Sequence, residues 1–328
     1  MGELTRRQFL TRGIASGLAG AAILSGSGER VAEAGQSGVG TMIDLSKCDG
    51  CKNLAVPKCV SVCREKNAAN FPQPKEPIPL NFPLGTNEDW SKKKQLTNRL
   101  TPYNWTYVQN VKVTENGKTA EVSIPRRCMH CDNPPCANLC PFGMQTKSQE
   151  GPVVIDKDGC LGGAKCRSVC PWQIPQRQAG VGVYMKLAPK YLGGGVMFKC
   201  DLCLDRIRKG EVPACVEACP QKAIHFGSKE AMRQLAHQRA QEISGYIYGE
   251  KENGGTSTFY VSPVSFKSIH KALMDHEVDG KNGRMGMKPL AENVLDSPEG
   301  MAKQMLFAPI AGIFAAGMVA YKTMKGAE

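Results

Sequence analysis

Fifteen cysteines in a chain of 328 residues carry the chemistry, and their spacing says which chemistry. They fall into four groups, each ending in C-x3-C. Group one is Cys48, Cys51, Cys59 and Cys63; group two is Cys128, Cys131, Cys136 and Cys140; group three is Cys160, Cys166 and Cys170; group four is Cys200, Cys203, Cys215 and Cys219. Groups two, three and four run on into Pro141, Pro171 and Pro220. Three thiolates on a tight loop grip one face of an iron–sulfur cubane. The fourth, three residues on and ahead of a proline, points away, and in two-cluster ferredoxins it ligates the other cluster. Each group therefore needs a partner group. A disulfide framework belongs mainly to short secreted chains, and an odd count in repeated C-x2-C loops suits it badly. Zinc takes C-x2-C knuckles one at a time and gives the C-x3-C-P endings no role.

Group three lacks one thiolate. Gly163 stands where the second cysteine of a C-x2-C-x2-C-x3-C run would be, and glycine offers iron nothing. The expected cofactors are three [4Fe-4S] clusters and one [3Fe-4S] cluster, the latter held by Cys160, Cys166 and the last cysteine of the partner group. A four-iron cluster with one non-protein ligand is the alternative at this place. Loss of a cubane iron raises the reduction potential, so this centre is expected to be the most oxidising.

The elements that position these loops are short. Val153 to Asp156 alternates just before group three, and Ala223 to Phe226 follows group four, as strands flanking cluster loops in a ferredoxin-like module would. The insert 71–125 opens with a proline-rich extended loop. It then carries two alternating runs, Asn104 to Val113 and Lys118 to Ile124, about a Glu115-Asn116-Gly117 turn, which predicts a hairpin for partner contact. Ser228 is the expected N-cap of a helix over Lys229 to Ile243, and Thr258 to Val261 reads as a strand. From Ser262 to Gly300 the sequence reads as an arm or tether. The fold class expected is α+β: two ferredoxin-like bicluster modules, an inserted hairpin region and a C-terminal transmembrane helix. With 41% hydrophobic and 6% aromatic residues, metal and sulfide must supply part of the core, so the apo chain should be largely unfolded.

At the N-terminus, Arg6-Arg7 followed by Phe9, Leu10 and the small apolar run Ile14 to Ser27 reads as a twin-arginine signal peptide over 1–34, with Ala32-Glu33-Ala34 as its cleavage site. Met305 to Tyr321 is free of charge and flanked by Lys303, Lys322 and Lys325, which suggests a single-pass C-terminal anchor within 301–328. The expected location is the periplasmic face of the inner membrane. A formal charge of +12 falls to +11 without the leader, and four clusters at about −2 each cancel most of it. Nucleic-acid binding has little support, and Lys92 to Lys94 and Arg126-Arg127 read as solvated faces or partner contacts. His130, inside the group-two loop, is a candidate hydrogen-bond donor to cluster sulfur or to a partner carboxylate. Lys165 and Arg167 beside Gly163 are candidates to raise that centre's potential. No nucleophile with its base and no phosphate loop is visible, so no catalytic residue is assigned. Gly193 to Gly195 reads as a flexible link.

The chain resembles the four-cluster electron-transfer subunits of the molybdopterin oxidoreductase and [NiFe]-hydrogenase families, and most of all the periplasmic hydrogenase-2 type. The likeness lies in the twin-arginine leader, Arg127-Cys128-Met129-His130-Cys131, the stretch Pro213 to Pro220, Ile224 to Gly227 and the C-terminal apolar segment. It implies that groups one and four form one module (35–70 and 196–228) and groups two and three the other (126–195), with 229–300 as helix and tether. It also implies four ligand sets: Cys48, Cys51, Cys59 with Cys219; Cys200, Cys203, Cys215 with Cys63; Cys128, Cys131, Cys136 with Cys170; and Cys160, Cys166 with Cys140. Two departures stand out: group one has seven residues between Cys51 and Cys59 and Arg64 rather than proline after Cys63, and in group three Gly163 replaces the fourth ligand usual in hydrogenase-type subunits. The function implied is an electron relay between a catalytic [NiFe] hydrogenase and an integral membrane quinone-reactive subunit or cytochrome. The same role for a formate dehydrogenase or other molybdopterin oxidoreductase is the alternative.

Overall fold

A computed structural model describes residues 38–80, 85–187, 189–191, 194–275 and 286–299. Strand β1 (Val39–Asp44) runs into the group-one loop, and helix α1 (Lys58–Lys66) carries Cys59 and Cys63. The insert forms β2 (Tyr107–Glu115) and β3 (Lys118–Arg126), an antiparallel hairpin in which Glu115 faces Lys118. Asn116 and Gly117 both have positive φ, 50° and 75°, the conformation a two-residue turn needs to match strand twist. Along β2 the buried residues are Tyr107, Gln109, Val111 and Val113, alternating with exposed Asn110, Lys112 and Thr114, which is the two-residue period of a one-sided strand.

Beyond the hairpin, a repeated unit positions the other cysteines. Group two leads through α2 (Pro135–Asn138) to β4 (Gln145–Lys147), and β5 (Val153–Ile155) leads into group three, with α3 (Lys165–Ser168) and then β6 (Gln176–Gln178). After α4 (Tyr184–Leu187), β7 (Val196–Phe198) enters group four, whose loop holds α5 (Leu204–Ile207) and α6 (Ala214–Glu217) and exits into β8 (Ile224–Ser228). β4 pairs antiparallel with β5, and β6 with β7. The one-turn helices α2, α3 and α6 carry Cys136, Cys166 and Cys215 respectively. α1 packs on α6 and α2 packs on α3, so group one meets group four and group two meets group three.

Helix α7 (Lys229–Glu242) starts at Ser228, whose hydroxyl accepts from the Ala231 N–H at 3.2 Å. It lays Met232, Ala236 and Ala240 on Met42, Phe259 and Val261. These belong to a four-stranded sheet of order β8-β1-β10-β9, with β9 (Tyr246–Tyr248) and β10 (Thr258–Ser262) as its far side. β1 runs parallel to β10 and antiparallel to β8. Where the sequence suggests a tether, the chain instead forms α8 (Phe266–Asp275), which buries Phe266, Ile269 and Leu273 and packs against β2. Met287, Ala291 and Asn293 are buried as well.

The expected C-terminal anchor is corrected. Among the described residues no helix is long and apolar enough to cross a membrane, and Met305 to Tyr321 lie outside them, as does the leader 1–34. The fold class becomes α+β with two tandem ferredoxin-like modules, and the single-pass placement on the inner membrane is withdrawn with the helix.

Candidate functional site

Each cysteine loop is wound through left-handed backbone that few side chains adopt freely. Positive φ occurs at Gly50 and Cys51 in group one, His130 in group two, Gly162 and Ala164 in group three, and Leu202 and Cys203 in group four. Such turns aim successive N–H groups at a common point, which suits them to anionic sulfur. The Leu202 N–H donates to Cys200 Sγ and the Ala223 N–H to Cys219 Sγ, both at 3.3 Å. Burial pushes the Cys48 thiol up to about 11 with the Gly50 N–H opposing, and Cys203 likewise up to about 11 with the Ala214 N–H opposing.

The sulfurs gather in four sets. Cys48, Cys51, Cys59 and Cys219 line one pocket, whose wall includes Val108 and Pro125 of the hairpin. The hairpin, expected to serve partner contact, thus covers the group-one loop. Cys63 is driven far up by burial and then by Cys200, Cys215 and Cys203. Burial raises Cys131 and Cys136, and both then feel Cys170 and Cys128. Cys166 is pushed up to about 12 by burial and then by Cys160 and Cys140. Gly163 is exposed, and a Cβ built there would meet no atom within 4 Å. Adjacent sets also sense one another: Cys215 acts on Cys59, Cys128 on Cys200, and Cys170 on Cys166. The sets are thus linked first to second, second to third and third to fourth.

These sets fit iron–sulfur clusters. All fifteen cysteines are free of disulfide bonds. Soft sulfur donors gathered in sets, with N–H groups directed at several of them, suit a polynuclear iron centre.

Several neighbours escape sequence reasoning. Asn67 Nδ2 donates to Cys63 Sγ at 3.6 Å, and Asn253 Nδ2 to Cys131 Sγ at 3.2 Å. A helical i+4 spacing could have flagged Asn67; nothing in the sequence points to Asn253. His130 is completely buried, and its Nδ1 accepts the Val153 N–H at 3.0 Å. Burial, aided by the nearby Lys199, Arg127 and Lys147 charges, keeps it neutral. Arg126 and Arg127, expected as solvated faces or partner contacts, are buried. Arg167, expected to lend charge to the three-cysteine centre, makes a two-pronged pair with Glu88 at 2.7 and 2.6 Å, a carboxylate it shares with Arg177. Gly195 is more than a link: its Cβ would fall 1.9 Å from the Gln178 carbonyl oxygen.

Two family models described as 4Fe-4S dicluster domains match residues 47–144 and 120–229. The formate dehydrogenase-O iron-sulfur subunit of Escherichia coli (strain K12) is 28% identical over 87% of this chain and 83% of its own length. The formate dehydrogenase, nitrate-inducible, iron-sulfur subunit of the same strain is 30% identical over 68% of this chain and 67% of its own. The hydrogenase-2 operon protein HybA of Escherichia coli O157:H7 is 29% identical over 72% and 74%. The special likeness to the hydrogenase-2 type with a C-terminal membrane helix therefore gives way to a broader kinship. By its cysteine framework and these matches, the chain belongs to the family of ferredoxin-like iron–sulfur electron-transfer subunits related to those of molybdopterin oxidoreductases and hydrogenases.

Proposed function

We propose that this chain is the electron-relay subunit of an oxidoreductase complex, carrying charge along a row of four clusters between a catalytic partner and a membrane component. The observation that supports it best is this linkage, in which each set of sulfurs lies near enough to the next to shift its thiols. The ligand sets are Cys48, Cys51, Cys59 and Cys219; Cys200, Cys203, Cys215 and Cys63; Cys128, Cys131, Cys136 and Cys170; and Cys160, Cys166 and Cys140. The first three sets would hold [4Fe-4S] clusters and the last a [3Fe-4S] cluster, since Gly163 supplies no fourth thiolate. When bound, such clusters take up and release single electrons, and their potential follows from cluster type, hydrogen bonding and burial. The polypeptide fixes their positions, keeps water from the inner sets, and donates N–H groups to sulfur from Leu202, Ala223, Asn67 and Asn253.

The catalytic partner we favour is a formate dehydrogenase or another molybdopterin oxidoreductase, because the formate dehydrogenase-O subunit matches over 87% of this chain, against 72% for the hydrogenase-2 operon protein. A hydrogenase is the second reading, and a quinone-reactive membrane subunit or cytochrome is the proposed acceptor. The complex purified anaerobically through a tag on this chain tests both levels. About fifteen irons per chain, with electron paramagnetic resonance signals of one three-iron and three four-iron centres, would support the relay. Bleaching by formate but not by hydrogen would support the partner. An iron-free, colourless chain would sink the relay, and bleaching by hydrogen alone would sink the partner assignment.

A further inference from the structure

Arg127 and Lys199 hold the same place in two different groups, immediately before the first cysteine, Cys128 or Cys200. The equivalent residues of groups one and three are Lys47, which is exposed, and Gly159, which is half-buried. Arg127 and Lys199, by contrast, are only 3% and 5% exposed. Arg127 Nη2 donates to Thr41 Oγ1 at 2.6 Å, while its Nε and Nη1 have no hydrogen-bond partner. Lys199 Nζ donates to the backbone carbonyls of Val153 and, at 3.2 Å, Cys200. Among the described residues neither cation forms an ion pair with a carboxylate. The acid on Lys199's side, Asp201, is engaged by the Cys203 N–H at 2.9 Å.

A buried charge without a counter-charge is strongly unfavourable. Arg127 bonds Thr41 of β1, which lies opposite Phe226 of β8, the exit strand of group four, and the sulfurs acting on it first are Cys215 and Cys200. Lys199 bonds the carbonyl of Val153, whose N–H donates to His130 of the group-two loop at 3.0 Å, and the sulfurs acting on it first are Cys128 and Cys136. The arrangement is crossed: the group-two loop lends its cation to the group-four sulfurs, and the group-four loop lends its cation to the group-two sulfurs.

We propose that Arg127 and Lys199 are a crossed pair of potential-setting residues, each raising the reduction potential of the inner cluster anchored by the other's loop, so that the two inner centres lie above the outer four-iron centre. The proposal rests on the cluster reading. A cluster with four thiolates is anionic in both redox states and more so when reduced, so a fixed cation in a poorly screened interior favours the reduced state. Lys47, in water, has little such leverage.

The test is a potentiometric titration of the anaerobically purified full chain, followed by electron paramagnetic resonance, with iron quantified for every variant. Arg127→Gln and Lys199→Gln are each expected to lower an inner centre by at least tenfold in its one-electron equilibrium constant, about 59 mV. Arg127→Lys and Lys199→Arg should restore most of that shift, and Lys47→Gln should move no centre by more than twofold. Unchanged potentials in iron-replete glutamine variants would overturn the proposal, as would charge-keeping variants that shift as far as neutral ones. If the glutamine variants lose iron, the charge-keeping pair decides: full iron at wild-type potentials supports the proposal, and iron loss there assigns the two residues to packing. Failure of the cluster reading would instead show as an iron-free parent protein.

Discussion

The side-chain amide of Asn253 donates to the Cys131 sulfur at 3.2 Å, joining positions 122 residues apart. Asn253 is buried in left-handed backbone, φ 56°, and its own carbonyl accepts from Asn293 Nδ2 at 3.1 Å. The segment after β9 therefore reaches into the group-two loop and supplies a donor there. A hydrogen bond to an anionic sulfur favours the more reduced, more negative cluster, and a buried bond to a charged group is worth about 1.5–3 kcal/mol. Asn253→Gly keeps the backbone conformation while deleting the donor. It is expected to lower the potential of the centre containing Cys131 and to reduce the stability of the loaded protein by that order, read by potentiometry and thermal unfolding. An unchanged potential at full iron content would count against a tuning role.

Gly163 and Gly162 make opposite predictions from adjacent positions. A Cβ at Gly163 meets nothing within 4 Å, whereas at Gly162, with φ +68°, it would lie 2.5 Å from the Gly195 carbonyl oxygen. Gly163→Cys should therefore fold and offer a fourth thiolate, replacing the oxidised three-iron signal with a four-iron signal and adding about one iron per chain. Gly162→Cys should instead lose protein or iron. If Gly163→Cys leaves the oxidised spectrum unaltered, the native centre is not the three-iron type.

The cysteine framework was legible because iron–sulfur ligation fixes both residue type and spacing. The hairpin was legible too, because alternation and Asn116-Gly117 point the same way. Ser228 announced α7 through its capping chemistry. What stayed hidden is tertiary. Phe266, Ile269 and Leu273 carry a helical spacing, yet they lie in a polar stretch that reads as tether until β2 is there to receive them. Arg126 and Arg127 look like a solvated charge run because their burial depends on distant partners, the Gly286 carbonyl for Arg126 and the Thr41 hydroxyl for Arg127. Glu88, in the irregular insert, gives no sign that it will meet Arg167 and Arg177 some eighty to ninety positions on.

That Glu88 contact fastens the insert to the three-cysteine loop. One carboxylate receives both prongs of Arg167 and an additional bond from Arg177 at 2.6 Å. Burial alone would raise its pKa, but the Arg167 hydrogen bond and the two guanidinium charges outweigh burial and hold it below the ordinary 4.5. Because the folded value is depressed, the stabilisation is present above the unfolded value and is lost as pH falls through the folded one. Glu88→Gln should thus loosen the insert at neutral pH by about 1.5–3 kcal/mol, read as faster hydrogen exchange in 85–100 and 162–178. The difference from wild type should shrink as pH drops below about 4.5. A difference independent of pH would mean that the contact acts through shape rather than charge.

The hairpin's fit over the first set of sulfurs hangs on Gly50. With φ +69°, its missing Cβ would stand 2.7 Å from Ser123 Oγ and 2.9 Å from Asn110 Oδ1, with Ser123 Cβ at 3.2 Å, so a branched residue there must turn both side chains aside and crowd the strands that carry them. Valine adds backbone strain of about 1–3 kcal/mol, because a β-branched residue resists left-handed geometry. Gly50→Val should therefore expose the pocket that Val108 and Pro125 help to close over Cys48, Cys51, Cys59 and Cys219. The expected result is loss of about four irons per chain with one four-iron signal, while the signals of the other three centres persist. Iron content and the spectrum decide it together: full iron with all four signals intact would show that the hairpin is not the wall protecting this centre.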